Sequence, residues 1–387
     1  MRYVNSIFGS LLKPLDRRSF QAIVDRHDGD AYDKSFTSWP HLVALIYTQL
    51  SASKSLRDVE AGFNAYSNHH YHLGVGKIAR STLADANRRR PVGIFAETFA
   101  YLSKTRDRAL RREAAEVLRL IDASPIPLGE LCHWATWNGR IRGMKMHVVY
   151  DPTTDRPLDL QITHANVNDV TVGRRVTIET GGTYVFDKGY CHYGWWSQIR
   201  AKGAYFITRS KSNVRWRTRK KRSVEHCQGD GFVILSDDEV AFASKGDSKL
   251  EMPLRRIRVK RDTGETIAII TNDMTRTAVE IATLYKMRWP IELLFRWLKQ
   301  HLHIRKFLAT NENAIKLQIY AALIAFLLLR IAARLNILKM PALRFAGLVR
   351  DCLFSRKRVA HIDKPPPVNP SKPAPKCHPN QLELCYA

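Results

Sequence analysis

The spacing of apolar residues changes twice along the chain, and these changes constrain the fold more than any other feature. In the first third, apolar residues recur at helical spacing, as in HLVALIYTQL (41–50). From Val117, β-branched and alternating stretches appear, such as GMKMHVVYD (143–151) and GTYVFDKG (182–189). Helical spacing returns after Thr277. We therefore predict a mixed α/β core that follows an all-α region.

The same changes divide the chain into five segments. A turn-rich, strand-like stretch interrupts the region that is predicted to be α/β. The chain ends in proline-rich sequence of the kind found in disordered tails. The predicted segments are a helical N-terminal DNA-binding domain (1–112), the first part of the α/β core (113–211), a β-rich insertion (212–266), the second part of the core with C-terminal helices (267–340), and a basic, proline-rich, disordered tail (341–387).

The composition indicates a polyanionic partner. Lys and Arg number 62 against 36 Asp and Glu, which gives a formal net charge of +26. Nucleic acid is the commonest partner of such a protein. An acidic membrane surface is the alternative, but the sequence shows no basic amphipathic helix and no lipidation signal. The apolar run LQIYAALIAFLLL (317–329) is shorter than the roughly 20 residues that span a bilayer, so we expect a buried helix and no membrane partner.

The cysteines favour a reducing compartment. All 6 are scattered, without a C-x-x-C pair that would indicate a zinc ribbon or a disulfide framework. The N-terminus lacks the small-residue cleavage site of a signal peptide. We therefore expect a cytoplasmic protein.

Two basic clusters are candidates for DNA binding. The stretch ARSTLADANRRRP (79–91) predicts a helix that ends in Arg88, Arg89 and Arg90, as in DNA-reading helical modules, although solvated helix ends are often basic too. In the second cluster, VRWRTRKKR (214–222), an aromatic ring lies among cations. Its candidate residues are Trp216, to stack on an unpaired base, and Arg217, Arg219 and Lys220, to bind phosphates. A solvated basic loop is the alternative for this second cluster.

Three carboxylates stand where the surrounding pattern does not explain an acid. Asp122 closes the apolar stretch VLRLID, Asp187 follows TYVF, and Glu292 lies among apolar residues of a helix. Carboxylates that converge from separate elements provide the hard oxygen ligands that Mg²⁺ or Mn²⁺ prefers. Each also has a structural explanation: the aspartates as turn formers and the glutamate as part of a solvated helix face.

The helix around Glu292 carries a polar stripe. Tyr285, Arg288, Glu292 and Lys299 lie at offsets 0, 3, 7 and 14, which fall within an arc of roughly 60° on an α-helix. The cations would bind phosphates while the acid holds metal; simple i,i+4 pairing of Arg288 with Glu292 is the alternative. Pro290 has no N–H, so the helix must kink there or a new one must start, and the stripe depends on that geometry.

These residues resemble a known family. The spacing Y-x2-R-x3-E-x6-K, together with the acids in LRLIDASPIPL and YVFDKGY, is similar to the signature of bacterial DDE transposases of insertion-sequence family four. The resemblance covers roughly residues 115–335 and includes the helical text that follows Glu292. The helical N-terminal third is similar, more loosely, to an extra domain of many members.

The resemblance implies both a fold and a mechanism. The core would be RNase H-like, and the β-rich insertion would lie between the second aspartate and the glutamate. Asp122, Asp187 and Glu292 would bind two Mg²⁺ (or Mn²⁺) ions, and Tyr285, Arg288 and Lys299 would hold the DNA backbone near the cut. The partners would be double-stranded DNA, namely terminal inverted repeats and target, and a second copy of the chain, because two ends must meet. A non-catalytic DNA-binding descendant and a structure-specific nuclease are the alternatives.

Overall fold

The computed structural model describes residues 5–51, 53–104, 117–224, 228–243, 253–301 and 307–364. The predicted boundary at 112–113 and tail residues 365–387 lie outside this part of the chain. The helices are α1 (Ile7–Leu12), α2 (Arg17–Arg26), α3 (Ser38–Leu50), α4 (Leu56–Asn64), α5 (His70–Leu73), α6 (Arg80–Arg89), α7 (Val92–Lys104), α8 (Asp169–Gly173), α9 (Tyr193–Ala201), α10 (Ala278–Lys286), α11 (Trp289–His301), α12 (Glu312–Leu335) and α13 (Ala342–Cys352). The strands are β1 (Leu118–Pro127), β2 (Thr136–Trp137), β3 (Arg142–Asp151), β4 (Arg156–His164), β5 (Thr183–Phe186), β6 (Tyr205–Arg209), β7 (Trp216–Lys221), β8 (Gln228–Gly229), β9 (Phe232–Phe242), β10 (Leu254–Arg261) and β11 (Thr266–Thr271).

The core is a mixed sheet with the spatial order β4-β3-β1-β5-β6. β3 runs antiparallel to both β4 and β1, whereas β5 is parallel to β1 and β6 is parallel to β5. Helix α9 connects β5 to β6, as a crossover between parallel strands requires. Three antiparallel strands followed by two parallel ones form the RNase H-like arrangement, which confirms the predicted fold class.

The β-rich insertion extends the same sheet. β11 pairs antiparallel with β6, and β10, β9 and β7 follow outward from it. A buried ion pair stabilises this extension: Arg255 donates to Asp237 through Nε at 2.7 Å and Nη2 at 2.5 Å. Arg255 Nη1 also donates to the carbonyl of Arg276 at 2.5 Å, which ties the insertion to the segment before α10.

The pleat of the sheet divides its side chains between two hydrophobic clusters. Leu120, Val185 and Ile207 point to the face that is covered by α10, α11 and α12. Ile121 and Phe186 point to the opposite face, where α9 packs its tryptophans against them. Because side chains alternate along a strand, the residues after Ile121 and Phe186 both lie on the α10–α12 face.

Helix α12 is the centre of the larger cluster. It is long and apolar enough to cross a membrane, but 89% of its apolar window is buried inside the protein. Helices α3 and α7 of the N-terminal region pack against it, and α7 also contacts β4. The expectation of a buried core helix is therefore confirmed, and the N-terminal helices share one core with the central sheet.

The prediction of a disordered tail from residue 341 is wrong for residues 342–364. Helix α13 and the turn after it bury Phe345, Val349 and Phe354 against the N-terminal helices. The backbone N–H groups of Ile7 and Phe8 donate to the carbonyls of residues 355 and 353 at 3.0 and 2.8 Å. The apolar residues of α13 recur at helical spacing, a signal that the proline-rich composition of the last residues obscured.

This packing predicts that Phe354 contributes to the stability of the whole protein. Its ring is buried and stacks on Tyr66 with centroids 4.2 Å apart. We expect Phe354→Ala to lower the free energy of unfolding by about 3 kcal/mol, since the variant leaves a cavity. The control is Leu343→Ala, an exposed residue of α13, with an expected change below about 0.5 kcal/mol. Equal urea denaturation midpoints for the two variants would contradict this packing.

Candidate active site

Asp122 and Asp187 lie side by side on neighbouring parallel strands. Strand β1 does not end at Asp122, as the sequence suggested, but continues to Pro127 because β3 pairs with it along this length. β5 ends at Phe186, which is in register with Ile121. Each aspartate follows one of these paired residues, so the two are separated by about one strand spacing, roughly 5 Å, on the same face.

The local structural explanations account for the aspartates only in part. Asp187 occupies the N-cap position of the short 3₁₀ helix Lys188–Tyr190, but its side chain makes no capping hydrogen bond. Asp122 Oδ1 accepts the N–H of Ala123 at 2.8 Å, which leaves Oδ2 for another partner. Neither carboxylate is therefore fully occupied by turn formation.

A break between two helices brings Glu292 to the aspartates. α10 ends at Lys286 and α11 begins at Trp289 with Pro290 as its second residue, so a new helix starts there. Arg288 lies in the break. Its Nη1 is 3.0 Å from Asp122 Oδ2, and its Nη2 is 2.5 Å from Glu292 Oε1. One guanidinium therefore joins the sheet acid to the helix acid.

The site has an excess of negative charge. The pKa of Asp122 is raised to about 6, chiefly by burial and to a smaller extent by neighbouring Asp187 and Glu292, whereas Arg288 opposes the shift. Among the described contacts, Arg288 pairs with Asp122 and Glu292 but not with Asp187, and three neighbouring carboxylates favour a hard cation electrostatically. Within the described residues, no group of three or more acidic, histidine or cysteine side chains lies close enough together to hold a metal ion as the side chains stand.

The predicted stripe is only partly retained. Glu292 and Lys299 are seven residues apart on α11 and share a face, and both are partly exposed. Tyr285 belongs to α10 instead, and its side chain is only 4% exposed within the hydrophobic core. Burial raises the pKa of Tyr285, while Arg288 beside it lowers that pKa. The structure thus places Tyr285 next to Arg288 rather than on the protein surface.

A cleft that no sequence motif indicates opens beside Arg288. It has a volume of about 560 Å³ and lies between the insertion and the break that separates α10 from α11. Lys286, Arg261 and the exposed Trp289 are among its lining residues. Trp289 lies outside the polar stripe, and nothing in the sequence pattern distinguishes it from a core tryptophan.

The basic run forms an edge strand rather than a loop. Arg217, Arg219 and Lys220 are exposed on β7, the outermost strand of the insertion. Trp216 differs from the expectation, because its ring packs 4.7 Å from that of Phe242 and its Nε1 donates to Ser210 at 2.9 Å. Its indole is engaged within the protein and is not presented for base stacking.

The three arginines at the end of α6 separate into two kinds. Arg88 and Arg89 are exposed, and each pairs with Asp85. The side chain of Arg90 is only 2% exposed and binds Asp30 and Asp33 at 2.6 and 2.8 Å. Arg90 therefore has a structural role, in correction of its predicted DNA contact: it fixes α6 to the loop before α3.

The chain belongs to the transposase DDE domain family, which it matches over residues 113–328, more than half of its length. Members of this family are DNA-cleaving enzymes that generally use divalent metal ions, and the chain is therefore a DNA-binding, metal-dependent transposase. Residues 4–76 match a separate domain of unknown function, DUF4372.

Three curated relatives carry transposase names. The protein y4zB of Sinorhizobium fredii is 60% identical over 304 residues, which is 79% of this chain and 85% of the relative. A Geobacillus stearothermophilus protein named for insertion sequence element IS5377 is 28% identical, over 66% of this chain and 68% of the relative. A Synechocystis protein named for insertion sequence element IS4SA is 26% identical, over 65% and 71%. These relatives agree with the DDE transposase resemblance of the motifs.

The charge balance at the site predicts a pH-dependent effect of Arg288. Because the pKa of Asp122 is raised to about 6, its contribution to stability falls as the pH rises from about 4 through 6. Arg288→Met removes the opposing cation, so the pKa of Asp122 rises further and the loss extends above pH 6. Without divalent metal, we expect the variant to lose about 1–2 kcal/mol more stability than the wild type between pH 5 and pH 8.

Urea denaturation at the two pH values measures this difference. Arg296→Met on the exposed face of α11 is the matched control, with no expected change in pH dependence. Parallel pH profiles for wild type and Arg288→Met would show that Arg288 does not control the charge of Asp122.

Proposed function

We propose that the protein is the transposase of an insertion sequence: it binds the terminal inverted repeats of its element, cleaves the DNA there and transfers the strands to a target. One observation carries this proposal. Asp122 and Asp187 come from adjacent parallel strands and Glu292 from the facing helix, and Arg288 bonds to two of the three.

The same three carboxylates are proposed to hold two Mg²⁺ (or Mn²⁺) ions. They offer only hard oxygen donors, and their mutual repulsion favours a cation. Bound ions would supply an activated water or 3′-hydroxyl and stabilise the leaving oxygen of the in-line displacement. Arg288 lies between Asp122 and Glu292, so its guanidinium must move aside for the ligands to close.

A DNA phosphate is a second possible partner for Arg288. A phosphodiester presents two oxygens that a guanidinium binds in a bidentate manner, as it binds a carboxylate. We propose that Arg288 moves from the carboxylates to a phosphate near the cut, and that Lys299 binds a phosphate further along α11. Tyr285 contributes by holding the break before Arg288 in place, since it is buried beside that residue.

We propose that the rest of the DNA follows the exposed cations of β7 and α6. The proposed phosphate-binding residues on β7 are Arg217, Arg219 and Lys220. On α6 they are Arg88 and its neighbour Arg89. Two copies of the chain are proposed to act together, because an element has two ends. The reaction would take place in the bacterial cytoplasm.

Replacement of the acids tests the catalytic assignment. We expect Asp122→Asn, Asp187→Asn and Glu292→Gln each to reduce cleavage of an element-end duplex at least about 1,000-fold, since each removes a metal ligand. DNA affinity should change less than about threefold. Cleavage and gel-shift assays measure the two quantities.

Asp159→Asn on β4 is the control, because this carboxylate is exposed and lies opposite Val149, which points to the α9 face of the sheet. A structure-specific nuclease would cut branched DNA but would not join the 3′-end to a target. A non-catalytic descendant would bind DNA without cutting it. Full cleavage by any of the three acid variants would refute the proposed active site.

Salt dependence tests the edge strand. If Arg217, Arg219 and Lys220 bind phosphates, their replacement by Gln should reduce the slope of log affinity against log salt by about 0.9 for each lost contact. Arg200→Gln with Lys202→Gln is the matched control, because these exposed cations lie at the end of α9 on the opposite face of the sheet. An unchanged slope in the β7 variant would show that DNA does not follow this edge.

A further inference from the structure

The connection from β1 to β3 presents an exposed tryptophan on a well-defined hairpin. Trp137 on β2 is directly opposite Arg142 on β3. Asn138 Oδ1 accepts the N–H groups of Arg140 and Ile141 at 3.0 and 2.9 Å. Gly139 adopts φ +89°, a left-handed conformation that a side chain would disfavour in this tight turn. The hairpin is therefore preorganised by contacts within its own turn.

The connection is also fixed at its base. Cys132 and Ala135 are buried, and the indole Nε1 of Trp134 donates to the carbonyl of Thr310 at 2.6 Å. Trp137 and Leu131 nevertheless remain 60% and 72% exposed. Trp137 lines a groove beside the hairpin, and exposed apolar side chains that line a groove are typical of a binding surface.

The side chains of Trp137 and Arg142 point to the same face of the sheet as Asp122. Asp122 is opposite Val148 on β3, and side chains at even positions of β3, such as Met144, point to the same face. Arg142 has the same parity, so it and Trp137 share this face. The six residue-to-residue steps from Arg142 to Val148 span about 20 Å, which corresponds to about six nucleotides of a B-form strand.

The surface beside the hairpin suits a nucleic acid. A groove of about 530 Å³ is lined by Trp137, His133, Arg142 and Glu130, among others. Arg140 and Arg142 give the hairpin positive charge, against the single acid Glu130. A flat aromatic ring paired with a guanidinium matches a base next to its phosphate.

We propose that the Trp137–Arg142 pair is a DNA-binding subsite about six nucleotides from the scissile phosphate, where Trp137 stacks on an unpaired base and Arg142 binds a neighbouring phosphate. This inference rests on the proposed transposase function, because it needs DNA to enter the site at Asp122. It adds a nucleotide-binding surface that the catalytic motif does not include.

The test uses a duplex that contains one element end and 20 bp of flanking DNA, as found beside the coding sequence in the genome. Trp137→Ala should bind this duplex about 5- to 100-fold more weakly, the loss expected for one base stack, while Trp137→Phe stays near wild type. Arg142→Gln should lower the salt slope by about 0.9, and Arg142→Lys should not. The control is Leu335→Ala, since Leu335 is an exposed apolar residue at the end of α12 and is not among the proposed DNA contacts.

Single abasic sites placed three to nine nucleotides on either side of the cut identify the contacted base. At that position the abasic site should weaken binding by the wild type but not by Trp137→Ala, because both changes remove the same stack. An effect on the element side assigns the base to the inverted repeat, and an effect on the other side assigns it to flanking DNA.

Wild-type DNA affinity of Trp137→Ala would overturn the inference, and so would additive effects of Trp137→Ala and the abasic site on affinity at every position tested. It would also be overturned if Trp137→Ala changed only the oligomeric mass of the protein in solution, because the hairpin would then be a contact between copies. Thermal melting verifies that Trp137→Ala is folded. Cleavage of the intact duplex by the wild type reports separately on the proposed function.

Discussion

The parallel register of β1 with β5 is the constraint on which the site depends. Ile121 lies opposite Phe186, so the next residue of each strand projects to the other face. A shift of one residue would move Asp187 to the α9 face, among the aromatic side chains of the smaller cluster. The two apolar clusters therefore fix the positions of the acids, because slippage would expose core residues and bury a carboxylate without a partner.

Arg288 explains how Glu292 is tolerated in a largely apolar helix. Ile291, Leu294, Phe295 and Leu298 are buried on one side of α11, while Glu292 turns toward Arg288. The break at Met287 and Arg288 is what permits this, because a continuous helix through Pro290 would lack a backbone hydrogen bond at that point. Arg288 thereby leaves the helix axis and reaches Asp122 on the sheet.

The sequence predicted what is encoded locally. Alternation identified the strands, and an acid at an unexplained position identified Asp122, Asp187 and Glu292 as candidates. It failed where tertiary contacts decide the outcome. Arg90 looks like a surface cation next to Arg88, yet Asp30 and Asp33 come from distant sequence to bury it. Trp216 sits among cations in sequence, yet Phe242 covers its ring from the neighbouring strand. The extent of β1 beyond Asp122 depends likewise on its pairing with β3.

The insertion and the N-terminal region, although distinct in sequence, are joined to the core by direct contacts and do not form separate structural units. The insertion continues the catalytic sheet through β11, and Arg276 reaches from the segment before α10 to Thr183 of β5 at 3.1 Å. At the other end, Asn313 of α12 donates to the carbonyls of Asn87 and Arg90 at 3.0 and 2.9 Å. The exposed cations of α6 and β7 are therefore held at fixed distances from Asp122. If a DNA molecule contacts the cations of both α6 and β7, its path is set by the core that connects them. Its position relative to the carboxylates would then depend on packing contacts far from the carboxylates.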